Sequence, residues 1–543
     1  MTTTVTPVER AGSREWLGLA VLALACLLYV MDLTVLHLAV PTLSADLQPT
    51  SVELLWIVDI YGYMVAGFLI TMGTLGDRVG RRRLLLLGAT AFGAVSVLAA
   101  YSTSPEMLIV APALLGIAGA TLAPSTLSLI FAMFHDPRQR SVAVAVWISA
   151  FSAGSAVGPV LGGVLLESFW WGSVFLLALP VMGALLVLGP VVLPEYRDPD
   201  AGRLDVTSAV LSLVAVLAVI FGCKQIAQEG IGWPAIATIM AGLAVGVVFT
   251  RRQLTLTDPM IDLRLFRNRR FSTALAVNLV SIFVVVGYFL FVAQYLQLVI
   301  GLSPLQAGLW SVPSAAGFII GSQVAPHIVR RLDPAHIIVG GLVLSAAGLA
   351  MLTQVGGSVD LVLLVTASVI ISLGLAPVLT LTTDLIVGSA PPERAGAASG
   401  ISETAAELGG ALGLSILGSI GVAVYRGELV GSLPAAIPAE TAAIVRDTLG
   451  AAVAVAERLP DGLQDAVLTA ARDAFIAGVQ VTAAVAAVAA VAVAVVALAT
   501  FRSRSVAAPK AAVQPPPSPV MDVTSEEIAA ADPVACGDGG VHG

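Results

Sequence analysis

GTLGDRVGRRR, residues 73–83, follows two long apolar runs that each carry an acidic residue in their apolar part, Asp32 in the first and Asp59 in the second. A carboxylate is costly inside a membrane helix, so its presence there marks a functional path. Gly73, Gly76 and Gly80 allow close helix approach and a tight turn, and Arg78, Arg81, Arg82 and Arg83 hold that turn on one side of a bilayer by charge. The combination predicts a polytopic carrier rather than an anchored enzyme.

Composition points the same way. Of 543 residues, 57% are hydrophobic and 11% charged, with a mean hydropathy of +0.95. Such a chain has lipid as its main solvent. Apolar segments of about 18 residues or more fall at 16–40, 54–76, 84–102, 107–131, 141–166, 171–193, 206–227, 232–250, 272–299, 306–329, 335–354, 361–388, 396–424 and 474–500. Lipid tolerates no unpaired backbone, and these runs far exceed the alternating segments of an outer-membrane barrel, so fourteen transmembrane helices are predicted.

An even number of spans puts both termini on one side. Placing them in the cytoplasm puts 22 of the 27 basic residues inside, and the remaining five, Lys224, Arg426, Arg446, Arg458 and Arg472, fall at a helix end or in one long outer loop. That asymmetry predicts a multi-pass protein of the bacterial inner membrane with cytoplasmic termini. The expected organisation is a head at 1–15, a six-helix bundle at 16–205, two inserted helices at 206–250, a cytoplasmic loop at 251–271, a second six-helix bundle at 272–500 and a disordered tail at 501–543. The second bundle carries an outer loop at 425–473, with two short amphipathic helices expected around 440–457 and 461–473. The first apolar run has no small-residue cleavage site and reads as a retained helix.

Several function classes find no support. The net charge of -8 reflects acids in the outer loop and tail and gives no reason to expect nucleic-acid binding. Cys26, Cys223 and Cys536 supply neither a disulfide framework nor a metal-ligand set. No Gly-Lys-Ser phosphate loop suggests ATP use. The expectation is no enzyme activity, no cofactor and no metal.

GTLGDRVGRRR resembles the loop after helix 2 of the major facilitator superfamily. MDLTVLHLAVP at 31–41 is similar to the helix-1 signature of that superfamily's fourteen-helix drug:proton antiporters, and GSAVGPVLGG at 154–163 to their helix-5 antiporter motif. LWIVDIYGYMVAGF at 55–68 and SETAAELGGALG at 402–413 resemble multidrug exporters of the QacA and LfrA type. The resemblance implies an all-α membrane protein of two six-helix bundles plus two inserted helices. GSQVAPHIVRRLD at 321–333 holds in the second half the place of residues 73–83, as parallel repeats require.

The candidate site follows. Asp32 lies midway along the first run, and the resemblance links its position to proton coupling; Asp59, nearer the outer end of the second, is linked to cationic substrates. The competing reading is a pair of structural carboxylates satisfied by hydroxyls such as Thr34 or Tyr63. Tyr29 shares a helix face with Asp32, and Trp56 and Tyr63 share one with Asp59. An aromatic wall beside a carboxylate suits a delocalised organic cation, although Trp56 reads equally well as part of the interfacial belt. Glu403 and Glu407, four apart, also share a face, and two acids so close repel when both are ionised, a property suited to exchanging protons for a cation. Glu403 near a helix end could instead face water. Gly73, Gly76, Asp77, Arg78, Gly80, Arg81 and Arg82 read as a gate in which Asp77 pairs with an arginine or faces a helix N-terminus. Gly154, Gly158, Pro159, Gly162 and Gly163 read as a close-packed, bent stretch of helix.

Two positions depart from the family pattern. Pro112 stands where helix 4 commonly carries an arginine, and Phe318 where exporters of divalent cations carry a helix-10 acid. The absent acid favours monovalent substrates, and Phe318 itself is expected to bind substrate together with Asp59, Trp56, Tyr63 and Tyr29. The expected function is proton-coupled export of hydrophobic, mostly monovalent cationic drugs and dyes by a monomer in the lipid bilayer. The alternatives are a dedicated exporter of one natural product, or a non-transporting membrane sensor or scaffold.

Overall fold

The computed structural model describes residues 10–502 except 48, 50, 198–204, 231, 258, 357–360, 392–393 and 435, and among them there is no strand. Residues 1–9 of the head expected at 1–15, and residues 503–543 of the tail that was expected to be disordered, lie outside the described residues; α1 already begins at Ser13. The helices are α1 (Ser13–Leu47), α2 (Ser51–Val79), α3 (Arg81–Ala100), α4 (Pro105–Gly119), α5 (Leu122–Met133), α6 (Pro137–Ser168) and α7 (Ala178–Val192). There follow α8 (Val206–Glu229), α9 (Trp233–Thr255), α10 (Arg269–Gln294), α11 (Pro304–Ile328), α12 (Pro334–Leu352), α13 (Leu361–Gly388) and α14 (Ala395–Glu428). Short α15 (Ala439–Asp447) and α16 (Leu449–Ala456) precede α17 (Asp461–Arg502).

Helix starts are written into the sequence. Asp136 before Pro137, Ser303 before Pro304 and Asp333 before Pro334 repeat one device. The capping side chain accepts a backbone N–H of the first turn, and proline fills a place where no donor is needed. With α4 and α5 taken as one broken span, fourteen long helical segments stand among the described residues. Twelve contain, among the described residues, a stretch long and apolar enough to cross a bilayer by composition alone; α2 and α11 are not among those twelve.

Two elements divide differently from the sequence reading. The span expected at 107–131 breaks at residues 120–121, because Pro124 has no N–H to donate back to Ala120 and its ring crowds that carbonyl. The stretch at 461–473, expected as a separate amphipathic helix, is the first part of the 42-residue α17. Val467, Ala471 and Ala474 are buried in sequence and carry one apolar face through the expected boundary. The other short stretch, 440–457, folds as α15 and α16.

One buried apolar cluster gathers residues of α1 to α7 together with Val387 of α13 and Ala395 of α14, and a second gathers residues of α10 to α17. A small cluster joins α8 to both sides, with Ile220 and Cys223 against Tyr63 and Ala66 of α2 and Ala411 of α14. The inserted helix thus runs along the seam where α2 meets α14. Ser415 of α14 donates its hydroxyl to the carbonyl of Cys223, fixing the two backbones together.

Candidate functional site

Three polar assemblies lie along the seam. The first is built on α14. Glu403 and Glu407 are half-buried there, and the Tyr29 hydroxyl reaches Glu407 at 3.5 Å, the outer limit of a hydrogen bond. The Tyr29 ring lies 6.2 Å from both Tyr61 and Phe151, and Phe151 packs edge-on at 4.6 Å against Trp147. Behind them the Trp147 Nε1 donates to Thr126 at 3.0 Å, and Cys26 shares the same hydroxyl at 3.3 Å. The two acids of the second half thus face a rigid aromatic wall of the first. Asp32 is half-buried in α1 and within electrostatic reach of Tyr61. Tyr29, read from sequence beside Asp32, turns its hydroxyl to Glu407 instead. The side chains of Asp59 and Pro159 lie outside the described residues. Phe318 is half-buried and packs against the apolar cluster of the first seven helices.

The second assembly lies at the arginine-rich end. Asp77 accepts the backbone N–H groups of Gly396 and Ala397 at 3.1 and 2.9 Å and pairs with Arg81 at 2.9 Å. A carboxylate at the start of α14 is stabilised by the helix dipole as well as by those donors. Gly73 makes the approach possible, since a Cβ there would stand 2.4 Å from the Gly396 carbonyl oxygen. Gly80 has φ +116° and opens α3 beside Glu195, whose carboxylate accepts the Arg82 N–H at 3.2 Å and lies 3.6 and 3.7 Å from the Arg82 and Arg83 guanidinium groups. Arg78 turns back onto the Thr74 carbonyl at 3.3 Å. Gly76 meets its neighbours only at ordinary contact distance, so it makes none of the close approach expected of it.

Sequence reasoning missed two contacts at the same seam. Arg140 of α6 pairs with Asp384 of α13 at 3.1 Å, and Ser141 donates to the same carboxylate at 3.1 Å. Nothing in the sequence pairs Asp384 with a residue 244 positions away. Between α6 and α11, Ser149 and Ser322 share a hydrogen bond at 2.6 Å, and Gln323 donates to Ser149 at 2.9 Å.

The antiporter-motif glycines divide. A Cβ on Gly154 would stand 2.4 Å from the Leu27 carbonyl and one on Gly162 2.9 Å from the Val35 side chain, so α6 meets the backbone of α1 at Gly154 and a side chain of α1 at Gly162. Gly158 is buried. Gly163 makes no close approach, since a Cβ there meets nothing within 4 Å.

The third assembly comes from the inserted helix. Phe221 of α8 lies 6.4 Å from Trp56 and 6.1 Å from Tyr63, which are themselves 6.2 Å apart. The Lys224 ammonium sits 4.4 Å from the centroid of the Tyr63 ring. Trp56 and Tyr63 were expected at a cation pocket; Phe221 and Lys224 were not. Lys224 read as a helix-end charge because the fold alone brings α8 against α2.

The family model that matches residues 22–414 is that of the Major Facilitator Superfamily. The chain is 43% identical to the multidrug efflux pump LfrA of Mycolicibacterium smegmatis, over 88% of this chain and 94% of that one. It is 38% identical to the methyl viologen resistance protein SmvA of Salmonella typhimurium, over 85% and 93%. It is 32% identical to the tetracenomycin C resistance and export protein of Streptomyces glaucescens, over 89% and 90%. The crystal structure of the human organic anion transporter MFSD10 (TETRAN) is similar with a TM-score of 0.60 at 17% identity, over 89% of this chain and 99% of that one, a likeness of fold alone.

Proposed function

This chain belongs to the Major Facilitator Superfamily, and from that premise we propose that it is a multidrug efflux antiporter expelling hydrophobic, mostly monovalent cationic drugs and dyes in exchange for protons. It acts as a monomer in the bacterial inner membrane with both termini cytoplasmic, and it performs no covalent chemistry. In this reading the apolar clusters of α1–α7 and α10–α17 are the two bundles that rock against each other, and residues 73–83 gate the cytoplasmic end.

The observation that carries the reading is the placement of Glu403 and Glu407 on one half opposite Tyr29 and Tyr61 on the other. A carboxylate there holds either a proton or a cation, and the exchange is felt by both halves at once. Asp32, within electrostatic reach of Tyr61, is the proton-coupling residue, and Asp59 with Trp56 and Tyr63 receives the cation.

Dye export by inside-out vesicles tests this. Asp32→Asn and Glu407→Gln are expected to abolish export driven by a pH gradient at normal expression levels. Full gradient-driven export by both variants would overturn the assignment. One proton exchanged for one monovalent cation moves no net charge, so the pH gradient alone drives it, worth about 1.4 kcal/mol per unit. Clamping the voltage to zero should leave transport of a monovalent dye intact, whereas a demand for voltage, worth about 2.3 kcal/mol per charge per 100 mV, would refute one-for-one exchange. A dedicated natural-product exporter is the second reading, favoured by the relative named for tetracenomycin C.

A further inference from the structure

Lys224 is one of two lysines in a chain that otherwise meets every need for positive charge with 25 arginines. The choice has chemical meaning. Arginine grips through a planar fork of five donors, whereas an ammonium is a compact point charge on a flexible stem that releases its contacts one at a time. A lysine suits a place where the cation must leave.

The surroundings define such a place. Tyr63, Trp56 and Phe221 form a triangle of rings 6.1 to 6.4 Å apart, and the ammonium rests on the Tyr63 face at 4.4 Å. Tyr63 is buried, while Trp56 and Phe221 are 38% and 39% exposed, so two sides of the triangle remain accessible to an incoming molecule. Lys224 also lies within electrostatic reach of Glu407. Clustered aromatic faces are a receptor for an organic cation, and the protein's own lysine stands on one of them.

We propose that the aromatic triangle formed by Trp56, Tyr63 and Phe221 is a cation-binding subsite, and that Lys224 is its resident occupant, displaced when a monovalent lipophilic cation binds. The inference rests on the efflux reading above and deepens it: α8 lines the substrate path rather than merely widening the fold. Two monovalent cations cannot share the Tyr63 face without strong repulsion. The lysine therefore competes with every cationic substrate and leaves neutral ones unaffected. When it is displaced, its charge is free to move toward Glu407.

The test uses the full-length protein in detergent with tetraphenylphosphonium as a permanent monovalent cation and a neutral lipophilic drug of similar size. Lys224→Gln is expected to bind the cation about tenfold more tightly and the neutral drug with unchanged affinity. Lys224→Arg should bind the cation no more tightly than the wild type. Weaker or unchanged cation binding by Lys224→Gln, or an equal shift for both ligands, overturns the proposal.

A second measurement needs no variant. Saturating tetraphenylphosphonium should raise the reactivity of Lys224 toward an amine-specific reagent several-fold, read by mass spectrometry against Lys510 as internal reference. Unchanged or reduced labelling would also overturn it. These readouts report occupancy rather than turnover. Wild-type protein that binds the cation and exposes Lys224 yet moves nothing across vesicles would defeat the efflux reading and leave the subsite standing.

Discussion

Asp77 shows how much one side chain can hold. Its two oxygens accept two backbone N–H groups of another helix and an arginine of its own half, in a buried position. Hydrogen bonds to a charged group contribute about 1.5–3 kcal/mol each. Asp77→Asn removes the charge and turns an amide N–H₂ toward donors, so amides at 396–397 should exchange with deuterium roughly tenfold faster or more. Hydrogen-exchange mass spectrometry of a peptide spanning residues 394–400 checks this, and unaltered exchange would show that the closure is held elsewhere. The pairing options of Asp77 were legible in the sequence because an acid beside arginines near a helix end has few partners. Its actual helix terminus, 319 residues away, was not.

Between helices, the decisive quantity is the space at a glycine. Gly73→Ala would drive a Cβ into the Gly396 carbonyl and Gly154→Ala one into that of Leu27, whereas Gly163→Ala enters open space. Both obstructing atoms are backbone, which cannot swing aside, so strain of about 1–3 kcal/mol is expected at each. Melting temperature and dye export should fall for the first two and stay at wild-type values for Gly163→Ala. A glycine-rich motif in sequence does not reveal which of its members faces a neighbour; only the rotation of the helix does. The α8–α9 hairpin carries its own clasp. Asp205 accepts from Arg252 at 2.8 and 3.1 Å and from Ser208 at 2.7 Å, and the Arg252 hydrogen bonds, with that of Ser208, hold its carboxyl down at about 2. A depressed carboxyl stabilises the fold above its unfolded value of about 4 and loses that contribution as pH falls through the folded value. Asp205→Asn should therefore melt below the wild type at pH 5–7, with the two curves converging toward pH 2.

At the scale of the whole molecule, the all-helical membrane fold was legible because its cause is compositional: lipid leaves an apolar chain no other way to pair its backbone. Caps and prolines marked most helix starts. What stayed hidden was pairing across the seam, where Arg140 meets Asp384 and α8 meets α2, since hydropathy assigns each helix to lipid without assigning it a neighbour. Arg140→Ala combined with Asp77→Asn should lower export by less than the product of the single effects, because either break alone loosens the same closure. Export rates of the three variants decide it, and independent, multiplicative losses would mean two separate devices.

The continuous α17 has a further consequence. Forty-two residues at 1.5 Å each make a rod of about 63 Å, roughly twice the hydrocarbon thickness of a bilayer. Arg472 of the rod donates to the Leu298 carbonyl beyond α10 and Tyr425 of α14 to that of Val445 in α15, while Val445, Leu449 and Ala452 of the two short helices share one apolar cluster with Val467 and Ala471 of the rod. A disc of membrane helices seldom offers a microscopist anything to align on; this one carries a mast, and an antibody fragment raised against residues 439–473 would both provide an alignment mark and report, on intact cells, which way the molecule faces.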